Sequence, residues 1–198
     1  MEYCYRKRAS SRFLQLALPC ILSALFSGLA TAGDHLPYAF KAPKGWVEFQ
    51  APSIDAAWTL AEQKELKSKT TTLMVHTHKK STPYTFEGAT ADTVVAAVQK
   101  TRGALMRLSG LEGWTIDESK FEALPGDKGR RIKMKGHYRG VIDQPVEFFE
   151  WGYFVGSNYY QISLHQPGPE AAKGTSKPRR FTPAEIEQIL SEFRPEGL

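Results

Sequence analysis

The stretch Val146-Glu147-Phe148-Phe149-Glu150-Trp151-Gly152-Tyr153-Phe154-Val155 decides the fold. Side chains alternate across a strand, so Phe148 and Phe154 face one side while Phe149, Trp151, Tyr153 and Val155 face the other. Bulky apolar groups on both sides describe a central strand covered on both faces. Its neighbours in sequence are strands of the same kind. Trp114 to Leu124, Gly129 to Tyr138 and Tyr159 to His165 are set apart by the turn-rich segments Pro125-Gly126-Asp127, Gly140 to Pro145 and Gly156-Ser157-Asn158. Together these segments predict an antiparallel meander.

Working outward toward the N-terminus, short strands are expected at Tyr38 to Phe40 and Trp46 to Phe49, flanking the Pro43-Lys44-Gly45 turn. Two more follow at Ala57 to Gln63 and Thr71 to His78, and the polar connector Lys79 to Gly88 ends this half. Val94, Val98, Arg102, Leu105 and Leu108 then recur at helical spacing, which predicts a helix from Thr90 or Asp92 to Ser109, stopped by Gly110. Its stripe is apolar except for the stem of Arg102 and packs on the sheet. Toward the C-terminus, Thr182-Pro183-Ala184-Glu185 is a capping box with proline at the first helical position. A helix to about Phe193 follows, burying Ile186, Ile189, Leu190 and Phe193, with Pro195 just past its end.

The order of elements predicts an α+β domain with helices on both faces of one mainly antiparallel sheet. The Pro43-Lys44-Gly45-Trp46 opening, the helix after four strands, the aromatic strand carrying Tyr159-Tyr160-Gln161-Ile162 and the closing Ile189-Leu190-Ser191-Glu192-Phe193 resemble the PsbP-like superfamily. Its members include extrinsic subunits of photosystem II, a Ran-GTPase-binding protein and many bacterial exported proteins of unassigned function. The resemblance implies a three-layer α/β/α sandwich and a role as a non-catalytic binding or assembly subunit. It carries no functional residue over to this chain.

Residues 1–32 read as an export signal: Arg6, Lys7, Arg8 and Arg12 form a basic head, Phe13 to Leu29 is a mostly apolar run, and Ala30-Thr31-Ala32 is a small-residue cleavage site. The run is short for a membrane span and is broken by Pro19, Ser23, Ser27 and Gly28, which favours cleavage over retention as an anchor. Ala17-Leu18-Pro19 ahead of Cys20 lacks the small residue that lipoprotein processing needs. The expected working domain is therefore residues 33–198, periplasmic or secreted, with no membrane span after cleavage. Both cysteines, Cys4 and Cys20, leave with the signal, which excludes thiol chemistry and disulfides from that domain. Four of the 26 basic residues and one of the 21 acidic ones leave as well, so the +5 charge of the whole chain largely reports the signal and does not argue for nucleic acid.

The sequence shows no nucleophile elbow, no His-Glu-x-x-His, no paired-cysteine motif and no phosphate-binding loop. Glu147 and Glu150 are three apart on one strand and so face opposite ways, which denies them an acid/base partnership. An enzyme is not expected. Three features remain as candidate sites. Cleavage after Ala32 would leave Gly33-Asp34-His35 at a free terminus, where the amine, two backbone nitrogens and the imidazole offer Cu(II) or Ni(II) four nitrogens in a plane. His76 and His78 share one face of a strand and would need a third ligand, such as His137 or His165, to hold a metal. Arg131, Lys133, Lys135, His137 and Arg139 alternate with Ile132, Met134, Gly136 and Tyr138, giving one strand a basic face, and Gln166 to Phe181, read as one long loop, adds Lys173, Lys177, Arg179 and Arg180. An anionic surface or an acidic patch on another envelope protein fits that charge. The expectation is an exported binding or assembly module without cofactor. A periplasmic copper or nickel binder and a carrier of small hydrophobic ligands are the alternatives.

Overall fold

The structure, a computed structural model, describes residues 35–51, 54–63, 70–108, 111–140, 144–172 and 178–198, with the backbone alone described at 105–108, 171 and 172. Residues 1–32, read above as an export signal, and Gly33, Asp34, the expected stop at Gly110, Lys173 and Lys177 lie outside those residues.

The chain is α+β. In order, β1 (Tyr38–Ala39), β2 (Trp46–Phe49), β3 (Ala56–Leu60) and β4 (Thr72–Lys79) precede helix α1 (Ala91–Leu108). Then come β5 (Glu112–Ala123), β6 (Arg130–Arg139), β7 (Pro145–Val155) and β8 (Asn158–Pro167), helix α2 (Pro183–Ser191) and β9 (Arg194–Pro195). Seven strands form one antiparallel sheet in the order β2-β3-β4-β8-β7-β6-β5, and β1 pairs with β9 in a separate two-stranded sheet. The meander β5-β6-β7-β8 is as the turns predict. Its last strand then pairs with β4, so the two halves of the chain join along Thr72 to Lys79.

Two expectations are corrected. Tyr38 and Ala39 do not share a sheet with Trp46 to Phe49; their partners are Pro195 and Arg194, so Pro195 is a strand residue rather than a mere stop after the helix. Gln166 to Phe181 is not one long loop, because β8 continues to Pro167 and a 3-10 turn spans Pro169–Ala172.

Cross-strand register sorts the side chains by face. Phe148, Ile132, Met134 and Tyr138 join Trp114 and Leu111 in one cluster, against which Val94, Val95 and Val98 of α1 pack. Phe149, Trp151, Tyr153, Tyr160, Ile162 and Leu164, the alternate residues of the same strands, join Ile186, Ile189 and Leu190 of α2 and Phe193 in a second and larger cluster. Burying these groups supplies the main stabilisation, at roughly 1.5–3 kcal/mol for each large apolar side chain. The capping box forms: the Glu185 N–H donates to Thr182 Oγ1 at 3.3 Å and the Thr182 N–H donates to Glu185 Oε2 at 2.7 Å. This fixes where α2 starts, and hence which strands it covers. Gly136 and Gly152 are needed for close approach. A Cβ on Gly136 would lie 2.0 Å from the Thr115 carbonyl oxygen, and one on Gly152 would lie 2.8 Å from the Tyr159 hydroxyl.

Candidate functional site

Beneath α1, β7 places Glu150 in the middle of the sheet, opposite Met134 on β6 and Ser163 on β8. The helix brings Arg102 down onto it. Arg102 Nη2 donates to Glu150 Oε1 at 2.7 Å, Nη1 donates to Oε2, and Nη2 also reaches Gln161 Oε1 at 3.1 Å. Gln161 Nε2 donates to Glu150 Oε2 at 3.1 Å, and the Tyr159 hydroxyl donates to Gln161 Oε1 at 3.4 Å. Glu150 is 1% exposed. Burial alone would lower the Arg102 pKa, but the Glu150 carboxylate overrides it and keeps the guanidinium charged. Farther along β8, His165 shares a hydrogen bond of 3.1 Å with the Tyr138 hydroxyl. Burial, helped by the Arg102 charge, pulls its pKa down to about 3, so it is neutral near pH 7. A buried bidentate Arg–carboxylate pair of this kind ties α1 to the sheet and so positions the helix.

The other face carries the basic strand. Register places Arg131, Lys133, Lys135, His137 and Arg139 on the same side as Trp151, Phe149 and α2. Here α2 leaves β5 and β6 partly open, and a cleft of about 420 Å³ lies between them, lined by Lys133, Lys135, Phe149, Trp151, Ile186 and Glu187 among others. A second cleft of about 390 Å³, sharing Lys133, Trp151 and Glu187, continues past Arg131 and Tyr153 to Phe193 and Arg194. The two adjoin at Lys133, Trp151 and Glu187 to give one trench, crossed there by the Lys133–Glu187 ion pair, and the Trp151 ring beneath it is 5% exposed. Lys133 Nζ sits 3.8 Å from the Trp151 ring centroid and Arg131 Cζ sits 4.9 Å from it.

Lys133, Lys135 and Arg131 of the trench each have an acidic partner, whereas Arg194 at its end donates to the Ser191 and Phe193 carbonyls. Lys133 meets Glu187 at 2.6 Å, Lys135 meets Glu118 at 3.0 Å, and Arg131 Nε donates to Glu122 at 2.8 Å. His137 beyond them meets Asp117 at 2.9 Å. The hydrogen bond to Glu118 leads in raising the Lys135 pKa. Arg139 is exposed and stands opposite Pro145 on β7 and Glu112 on β5. Of the later cations, Arg180 bonds Glu147 at 2.7 Å while Arg179 lies over the Phe181 ring at 4.7 Å. The sequence showed the cations as a stripe. Their counter-charges come from β5 and α2, whose own patterns gave no sign that they would face β6.

Glu147 and Glu150 do face opposite ways: Glu147 accepts from Arg180 and Gln166 on one side of the sheet, Glu150 from Arg102 and Gln161 on the other. The candidate metal ligands are not gathered. His76 and His78 stand opposite Gln161 and Tyr159, on the α1 side. His165 lies four positions along β8 from Gln161, roughly 13 Å at the usual strand rise. His137 is on the other face. Among the described residues no three His, Cys, Asp or Glu side chains come together as a metal site. His35 is largely exposed, and its Nδ1 is hydrogen-bonded to the Asp55 carboxylate. No helix among the described residues is long and apolar enough to cross a membrane.

The architecture has a known counterpart. Cyanobacterial PsbP from Synechocystis, solved in solution, superposes with a TM-score of 0.56, matching 86% of this chain and 99% of that one at 12% identity. The chain has a PsbP-like fold. A crystal structure from Bacteroides thetaiotaomicron overlaps more loosely, with a TM-score of 0.39 and 11% identity over 81% of this chain and 46% of the other. No family model and no curated protein matches the sequence. At such identity the likeness concerns the fold, and the trench and the Arg102–Glu150 cluster belong to this chain's own residues.

Proposed function

We propose that this chain is an exported, non-catalytic binding or assembly module of the bacterial cell envelope, a three-layer α/β/α sandwich that meets a partner protein along the trench between α2 and strands β5 and β6. The observation that carries this reading is the trench itself: an aromatic floor, Trp151 and Phe149, under a rim where Lys133, Lys135 and Arg131 are matched by Glu187, Glu118 and Glu122. Mixed, paired charge around an apolar floor is the pattern of a protein-binding surface, whereas a polyanion needs cations without counter-charges. The PsbP-like fold supports a subunit role, and the Arg102, Glu150 and Gln161 side chains beneath α1 are bonded to one another.

Site-specific photocrosslinking in the native host tests this. A crosslinking residue at Glu187, in the trench, is expected to yield one discrete adduct, and one at Lys100, on the exposed side of α1, none. Absence of an adduct at Glu187, or equal labelling from both positions, overturns the reading. An intact mass matching residues 33–198 is expected for protein from the native compartment. Copper or nickel binding at Gly33-Asp34-His35 is the rival reading, and it requires His35 Nδ1 to leave Asp55.

A further inference from the structure

The seven-stranded sheet ends in β2 on one side and β5 on the other, and β5 is much the longer edge. Its outer side is treated differently along its length. Near its start, where the pairing with β6 slips between Glu112 and Thr115 and again between Ile116 and Glu118, α1 lays the Gln99 amide along the strand. Gln99 Nε2 donates to the Trp114 carbonyl at 2.8 Å, and Gln99 Oε1 accepts from the Ile116 N–H at 3.0 Å. That amide takes the place of one residue of a neighbouring strand.

From Glu118 onward the ladder is regular. In the same register the Leu124 N–H donates to the Gly129 carbonyl at 3.0 Å. Alternation then turns the backbone groups of Glu118, Lys120 and Glu122 toward β6, and those of Ser119, Phe121 and Ala123 outward. Among the described residues no backbone partner meets those outward groups. The 3-10 turn Pro125–Asp127 closes the far end.

The open segment, Ser119-Lys120-Phe121-Glu122-Ala123, is complementary to itself. Run antiparallel to a second copy about a twofold axis at Phe121, it sets Ser119 opposite Ala123, Phe121 opposite Phe121, and Lys120 opposite Glu122. Ser119, Phe121 and Ala123 then exchange both backbone hydrogen bonds with the residue they face. An exposed lysine on an edge strand ordinarily discourages a further strand, because nothing opposite it can neutralise the charge. Here Lys120 meets Glu122 of its own chain at 2.6 Å, and the twofold places a second carboxylate, the other copy's Glu122, directly opposite it. Moving the pairing to either adjacent register sets Lys120 against Lys120 or Glu122 against Glu122, so charge selects the central register.

We propose that two copies of this chain pair β5 to β5, antiparallel about Phe121, and continue the sheet through the dimer. Lys120 and Glu122 lie on the same side of the sheet as Lys133 and Arg131, so the cleft lined by Glu118, Ser119 and Lys120 opens at the seam beside its equivalent. The dimer does not depend on what the trench binds.

Sedimentation equilibrium of the full chain tests it. The wild type is expected to form a dimer that dissociates on dilution. Lys120→Glu and Glu122→Lys each set like charges opposite one another twice per dimer, raising the dissociation constant about tenfold or more. The double variant K120E/E122K, and a one-to-one mixture of the two single variants, restore opposite charges and are expected to dimerise again; a mere folding defect would not be repaired by mixing. A wild type that stays monomeric at every concentration, single variants that dimerise like the wild type, or a failure of both the double variant and the mixture to recover the dimer overturns the proposal.

Discussion

Under helix α1 the sheet carries charge at its centre, whereas under helix α2 it carries charge only at the rim. Strand β7 serves both sides. Its Glu150 is sealed beneath Arg102 and Gln161, while its Phe149, Trp151 and Tyr153 enter an apolar cluster with Ile186, Leu190 and Phe193. The ion pairs on the α2 side, such as Lys133 with Glu187, stand at the mouth of the trench, with Glu187 more than half exposed. The lesson concerns what each helix depends on. Two buried charges are costly to desolvate, and they hold only while both are present with their remaining hydrogen bonds made. A rim pair is screened by solvent and salt and adds little.

The contrast gives predictions in descending size. Glu150→Ala leaves the Arg102 guanidinium buried without its carboxylate and is expected to cost about 3–5 kcal/mol in urea unfolding. Adding Arg102→Met should recover most of that loss; if Glu150→Ala costs no more than a rim substitution, the distinction between the faces fails. On the other face, Leu190→Ala removes a fully covered side chain from the larger apolar cluster and is expected to cost about 2–5 kcal/mol, with no dependence on salt.

A third, smaller effect separates the faces by pH. His165, held down to about 3 in the fold by burial and by Arg102, has an ordinary value of 6.5 in the unfolded chain. Below pH 6.5 the unfolded chain takes up a proton that the folded chain refuses. The associated stability is therefore complete above pH 6.5 and is lost progressively as pH falls toward 3. Urea midpoints measured from pH 7 to 4 should decline less steeply in His165→Asn than in the wild type. Lys133→Ala comes last, at below about 1 kcal/mol, with part of the loss being its contact with the Trp151 ring. A cost comparable to that of Leu190→Ala would show the rim pair to be structural.

Much of the fold was legible because it is written in local patterns. The two-sided aromatic run at Val146 to Val155, the glycine and proline turns and the Thr182 capping box each act within a few residues, and each element stands where its pattern places it. The polar cluster was half legible. Arg102 interrupts an apolar helical stripe, and Glu150 sits on a strand with bulky apolar neighbours on both faces. Each is a charge at a position that demands burial, and together they signalled a pair. No local pattern says which buried charge answers which, because 48 residues separate them. The trench was legible in its cations alone, since Glu118, Glu122 and Glu187 read in sequence as ordinary surface acids on other elements.

By itself the sequence determined the four meander strands and the two helices, which strand is central and where α2 begins, because periodicity, turn residues and caps act over a turn of helix or a pair of strand positions. Only the tertiary structure decided that β8 joins β4, that Tyr38 and Ala39 find Pro195 and Arg194 across nearly the whole length of the chain, and that Arg102 lands on Glu150. Those choices are made between groups far apart in sequence, where the gain from a contact must exceed the entropy of closing the intervening chain, and no local pattern records which partner achieves it.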